Sequence, residues 1–255
     1  MSLGGERVGR SIAGRDAAGR LGLARPTRAY AGRVASLPLF PLGTVLLPGA
    51  RLPLQVFEPR YVALLRDLIE AQEERSPVFG VIAIREGNEV GEGAVRSLHD
   101  VGCAALLTHV AVLGGQRFFV IVEGTDRFRL GDIDSGAATP YLTAEVTWLE
   151  ERDGDPALLA PLAGRLRAEL EAFRDLTDEA VEGASEVEVP EGPRELSYAV
   201  PLVVSLDLGD RQRLLECPDT ETRLRLGLDL THRERELAQA LGATLKAPQS
   251  PFDLG

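Results

Sequence analysis

Apolar residues along the chain follow two different periods. Between Leu37 and Trp148 they fall in short runs separated by Gly and Pro pairs, whereas between Leu158 and Leu228 they recur three and four residues apart. The first pattern predicts strands and the second predicts helices. Leu37–Leu42 is punctuated by two prolines, which cannot donate to a ladder, so it predicts an edge strand or an extended lead-in. Val45–Leu47 runs into Pro48-Gly49, a turn pair, and Leu52–Phe57 predicts a second strand. Pro59 suits the first position of a helix, with Glu58 at its positive end. That helix runs to about Glu74, its apolar face formed by Tyr61, Leu64, Leu65, Leu68 and Ile69. Pro77–Ile84 predicts a buried strand, followed by turns at Gly87-Asn88 and Gly91–Gly93. Ala104–Leu113 and Arg117–Glu123 flank Gly114-Gly115 and predict a hairpin. Gly124 marks a break or bulge before the alternating Arg127–Leu130, and Tyr141–Leu149 alternates again.

The later helices are read from spacing. Pro156–Leu176 carries Leu158, Leu159, Leu162, Leu166, Leu170 and Phe173 on one stripe. Arg194–Leu206 does the same with Leu196, Val200, Val203 and Val204, and Gly209 breaks it. A short helix runs to Glu216, and Asp219 caps a last one bearing Leu224 and Leu228. Thr177–Gly192 holds six acidic residues and no basic one, so it reads as a solvated loop. The fold class is α+β: a curved or barrel-type β unit over 36–150 with one inserted helix, then an all-helical unit over 155–240. Residues 1–35 read as a disordered basic extension and 241–255 as a loose tail.

Composition narrows the chemistry. Of 255 residues, 28 are basic and 39 acidic, and the single Lys is Lys246. No Gly-Lys pair exists, so a P-loop nucleotide site is excluded. A Ser–Lys dyad would have to use Lys246 in the tail, where nothing would desolvate it. Three His and two Cys form no CxxC or HExxH spacing, so no metal site or cofactor is expected. Cys103 reads as a small core residue, and two Cys with no leader point to a reducing cytoplasm. No apolar run is long enough for a membrane span. Residues 1–35 hold seven Arg against Glu6 and Asp16, a net of +5, and the remainder holds 21 basic and 37 acidic residues, a net of −16. That acidic body repels phosphate backbones and argues against nucleic acid as a partner.

One family pattern emerges from these residues. Leu37–Leu42, Leu47-Pro48-Gly49 and Leu52–Tyr61 resemble the opening motif of the Lon amino-terminal, substrate-binding domain. Val101-Gly102, the strand through Leu113, and Val122–Phe128 resemble its second motif, and Leu214–Glu216 with the following leucine-bearing helix its third. The resemblance covers roughly 36–235. It implies a PUA-like β-fold followed by a helical bundle, and recognition of unfolded or extended polypeptide, in the cytoplasm, as an adaptor to a protease or chaperone. It does not imply proteolysis, because Walker A, Walker B and the protease dyad are all missing, and the expected role is non-enzymatic.

The candidate binding residues are Phe57, Glu58, Arg60 and Tyr61. Phe57 and Tyr61 could line an apolar groove or pack in the core. Glu58 and Arg60 could rim a peptide site or fix the strand-to-helix corner as a cap and ion pair. Arg127 reads as a structural clamp on Glu58 or a backbone carbonyl. Pro41, Pro48, Pro53, Gly102 and Gly124 read as residues of backbone shape. Two other readings compete: a hydrolase using Cys103 or Ser205, for which no base stands at a useful spacing, and RNA binding through the basic extension. His99-Asp100 lacks a poised serine and reads as a solvated loop, while His109 reads as half-buried in a strand and His232 as exposed.

Overall fold

The computed structural model describes residues 32–71, 76–89, 95–114, 117–178 and 188–240. Most of the predicted basic extension lies outside these residues. So do the tail, the Gly91–Gly93 turn, Gly115 and the middle of the acidic loop. The strands are β1 (Val34–Leu42), β2 (Arg51–Val56), β3 (Val78–Gly87), β4 (Val95–Leu98), β5 (Val101–Leu113), β6 (Arg117–Ile133) and β7 (Thr143–Trp148). Helix α1 (Pro59–Glu70) is inserted between β2 and β3. Helices α2 (Pro156–Asp178), α3 (Pro193–Val203), α4 (Leu208–Glu216) and α5 (Thr220–Ala240) follow the strands.

The strands form one mixed sheet in the order β1-β7-β6-β5-β3-β4, with β2 paired to β6. β1 also pairs with β3, so the path of pairings returns to its start. This corrects the edge-strand expectation for Leu37–Leu42. β1 runs antiparallel to β7 over Val34–Pro38 and parallel to β3 over Leu39–Leu42. Leu39 donates to Leu142 on the β7 side, so by alternation the nitrogen of Pro41 faces that side beyond the ladder's end. The nitrogen of Pro38 faces β3 before that ladder begins. Neither proline removes a bond, which is why an interior strand tolerates both.

Three further elements differ from the sequence reading. α1 ends at Glu70 rather than near Glu74, with Ala71 as its cap. α3 stops at Val203, where Val204 turns extended three residues after the last-turn Pro201. β4 was not expected, since its four residues Val-Arg-Ser-Leu carry too short an alternation to read. β6 is continuous, and Gly124 marks a bulge rather than a break: Ala105 pairs with Gly124 but Cys103 with Arg127, which leaves one extra residue in β6.

The core divides into three clusters. The largest joins the inward face of the sheet to α1 (Leu64, Leu65, Leu68) and includes Tyr198 and Leu215 from the later helices. A second lies between the helices around Leu166, Leu170, Leu196 and Leu224. A third surrounds the Phe128 ring with Leu37, Leu39, Ile82 and Val146. A Cβ on Gly102 would stand 2.4 Å from that ring and one on Gly80 2.8 Å, so both positions must be glycine for Phe128 to seat.

Candidate functional site

The strand-to-helix corner after β2 gathers the four candidate residues but separates their roles. Phe57 points outward and keeps 56% of its surface exposed. Tyr61 does not line a groove: it is buried, and its ring stacks on Phe40 with centroids 3.9 Å apart. Of the two readings open for Tyr61, groove or core, the structure adopts the core, because residue i+2 of the helix faces inward together with Leu64, Leu65 and Leu68. Burial pushes the Tyr61 hydroxyl up to about 12, and the Arg60 guanidinium, 4.6 Å from the ring centroid, opposes that shift. Glu58 occupies the helix N-cap position, but its side chain makes no cap bond. Instead it pairs with Arg60 at 2.9 Å, while its carbonyl accepts from the amides of Tyr61 and Val62. Arg60 also donates to the Glu89 carbonyl at 2.9 Å and so ties the end of β3 to the corner. Glu58 and Arg60 therefore fix the backbone that holds Phe57 out.

Phe57 stands at one end of a sheet face. Val56 pairs with Phe118, and Phe118 pairs with Val112, so β2, β6 and β5 lie side by side. Side chains alternate across a strand. Val56, Phe118, Val120, Val122 and Val110 point inward and are buried. On the outward face, Phe57 continues the row of Arg117 and Leu113. The next row is Gln55, Phe119 and Ala111, and the third is Pro53, Ile121 and His109. These outward residues are half-buried or exposed. Val112 and Leu113 at the hairpin end are 75% and 36% exposed. An apolar sheet face of this kind is a feature of binding surfaces.

Pro48 and Gly49 form the turn that starts β2: Ala50 donates to Leu47 at 3.0 Å, and Gly49 has φ +80°, which only glycine adopts without strain. Gly124 lets that turn lie on β6, since a Cβ there would sit 2.2 Å from the Leu47 carbonyl oxygen.

A second polar constellation lies on the other side of the sheet, where the helices meet it. Arg127 is 2% exposed. It pairs with Glu151 and donates to the carbonyls of Leu215 at 2.8 Å and Cys217 at 2.6 Å. Arg127 is thus a clamp on backbone carbonyls, with Glu151 rather than Glu58 as its carboxylate. Sequence reasoning missed its companions. Arg223 of α5 is fully buried, lies 3.8 Å over the Tyr198 ring, and donates to the Leu214 carbonyl and the Ser197 hydroxyl. Tyr198 donates to Glu151 at 2.8 Å. One carboxylate faces two guanidinium groups, and the carbonyls ending α4 supply the remaining negative potential. Burial lowers the Arg223 pKa and raises that of Tyr198. The detectable signal was a stripe in α5: Thr220, Arg223, Gly227 and Thr231 recur on its buried side.

The remaining groups give little chemistry. Cys103 and Cys217 are free and buried, and burial raises both thiols, which keeps them protonated and poorly nucleophilic. Among the described residues no cluster of three His, Cys, Asp or Glu could hold a metal ion, and no helix is long and apolar enough to cross a membrane.

The model of the ATP-dependent protease La (LON) substrate-binding domain matches residues 36–233. The chain belongs to this family. The Lon protease of Anaeromyxobacter dehalogenans is 29% identical over 206 residues, which are 80% of this chain and 24% of that protein. Lon protease 2 of Sorangium cellulosum is 31% identical over 207 residues, 79% of this chain and 25% of that protein. The LON domain described here thus spans about a quarter of the length of the curated relatives it matches. Among solved structures, a Lon N-terminal domain protein from Xanthomonas campestris has 26% identity and a TM-score of 0.53, covering 76% of this chain and 98% of that one. The N-terminal domain of a Mycobacterium avium complex Lon protease has a TM-score of 0.55 at 20% identity over 78% of this chain and 98% of that one, a likeness of fold alone.

Proposed function

We propose that this LON domain is a non-catalytic recognition module for unfolded or extended polypeptide, and that the outward face of β2, β6 and β5 is its binding surface. The observation that carries the reading is the exposed Phe57, held out by the Glu58–Arg60 corner at the end of an apolar sheet face. Family membership supports substrate recognition as the task. Apolar side chains shed from water on that face supply the affinity, and shallow contacts make it tolerant of sequence. The ring of pairings through β1 and β3 supports the PUA-like, barrel-type description of the β unit. We further propose that it works in the cytoplasm as an adaptor, passing bound chains to a protease or chaperone.

A fluorescence-anisotropy titration of the full chain against a labelled, permanently unfolded polypeptide, without nucleotide, tests this. Saturable binding that survives moderate salt and falls about tenfold in Phe57→Ala is expected. No binding at tens of micromolar rejects the reading.

A further inference from the structure

The free edge of β2 decides how a polypeptide can be held. β2 pairs only with β6, so its other edge is open among the described residues. Gly124 donates to the Ala50 carbonyl at 2.9 Å, which sets the phase of the strand: Ala50, Leu52, Leu54 and Val56 turn their backbone polar groups toward β6. Arg51, Pro53 and Gln55 therefore turn theirs to the open edge. Pro53 has no N–H, and its ring occupies the place where a partner's carbonyl would approach. The middle of the edge cannot complete a ladder, as in strands protected against edge-to-edge pairing.

The outward face carries a charge as well as apolar groups. Arg117 is exposed in the row of Phe57 and Leu113, with its Nε donated to the Gly114 carbonyl. At the far end of the face Arg51 is cross-strand from Glu123, which offsets it. Nearby, Arg60 is already engaged by Glu58. Among the described residues of this face, the positive charge left for a ligand is that of Arg117. The body's net charge of −16 repels an acidic run, so the complement is an apolar segment bearing one carboxylate.

We propose that the outer face takes its polypeptide by side chains alone, without strand addition at β2, and that Arg117 selects a carboxylate next to the apolar run. This rests on the polypeptide reading above. The ligand is a segment whose apolar residues lie against Phe57, Ile121 and Leu113 and whose carboxylate meets Arg117.

The test uses the full chain and labelled peptides of one alternating apolar sequence. One peptide carries Glu at one end, one carries Lys there, and two carry backbone N-methyl groups on the odd or the even amides. Both N-methylated peptides are expected to bind within about twofold of the parent, and loss of binding by either overturns the side-chain mode. The Glu peptide is expected to bind about threefold to fivefold more tightly than the Lys peptide at low salt, with the gap closing as salt rises and reversing in Arg117→Glu. Equal affinity for the two overturns the role of Arg117. Pro53→Val reopens the edge, and the parent peptide should then bind more tightly than its N-methylated forms. Failure of every peptide to bind overturns the polypeptide reading itself, and this mode with it.

Discussion

Two regions on opposite sides of the same sheet invert the usual placement of residues. At the junction with the helices, Arg127 and Arg223 are buried, and their guanidinium groups reach Glu151, Ser197 and the carbonyls that end α4. On the outer face, Phe57 and Leu113 are exposed. A buried charge is tolerated only where partners surround it, so the first region holds the sheet to the helices and has little room for change. Exposed apolar groups cost the fold little when removed, so the second region can be altered without unfolding the domain. Polar groups inside mark architecture here, and apolar groups outside form the proposed binding surface.

The largest expected effect is at the junction. Arg127→Met would leave Glu151 and two carbonyls without their buried donor, and urea denaturation should show a loss of about 3–5 kcal/mol. A loss under 1 kcal/mol would mean that the junction is not what joins the two regions. Next is Gly124→Ala, where the added Cβ meets the Leu47 carbonyl; overpacking of this kind should cost about 1–3 kcal/mol and shift the Pro48-Gly49 turn. Tyr61→Phe sharpens the contrast from within the core. The native Tyr61 is neutral up to about pH 12, whereas an unfolded tyrosine ionises near pH 10. Its contribution is therefore fully present below pH 10 and is lost as pH rises toward 12. Stability curves of the wild type should fall more steeply over that interval than those of Tyr61→Phe, and the two should agree closely at pH 7, because the Tyr61 hydroxyl has no hydrogen-bond partner among the described residues. The smallest stability effect belongs to the outer face. Phe57→Ala should change stability by no more than about 0.5 kcal/mol while binding falls about tenfold, and a large stability loss would place Phe57 with the core instead.

A further pH effect concerns the helices alone. Burial opposes ionisation of Glu169, but hydrogen bonds from Arg235 and His232 together hold its carboxyl below the ordinary value. The α2–α5 contact is thus favoured above the unfolded carboxyl pKa of about 4.3 and weakens as pH falls through the lower folded value. Acid denaturation of Glu169→Gln should be shallower than that of the wild type in that range.

Legibility in the sequence followed the range of the interactions. The β5–β6 hairpin was readable because Gly114-Gly115 and its flanking apolar runs are local. The cap of α5 was readable for the same reason: Asp219 accepts from the Thr222 amide at 2.7 Å. The position of β1 was not, because the tolerance of Pro38 and Pro41 depends on two partners distant in sequence. Arg223 sits among charged neighbours in a helix that looks solvated, and only packing brings it to Tyr198 and Glu151. For Tyr61 the helical period already offered the core reading, and the turn that follows Pro59 selects it by directing the ring at Phe40. The corner ion pair of Glu58 and Arg60 was one of two readings open at the sequence level, and it is the one the geometry adopts.

Hydrogen exchange of the full chain with and without a permanently unfolded polypeptide tests the contrast most directly. The account predicts added protection confined to β2, to β6 between Phe118 and Ile121, and to β5 between His109 and Leu113, with the amides of 214–217 and α5 unchanged. Protection appearing at the Arg127–Arg223 junction instead, with the outer face unaffected, would contradict it.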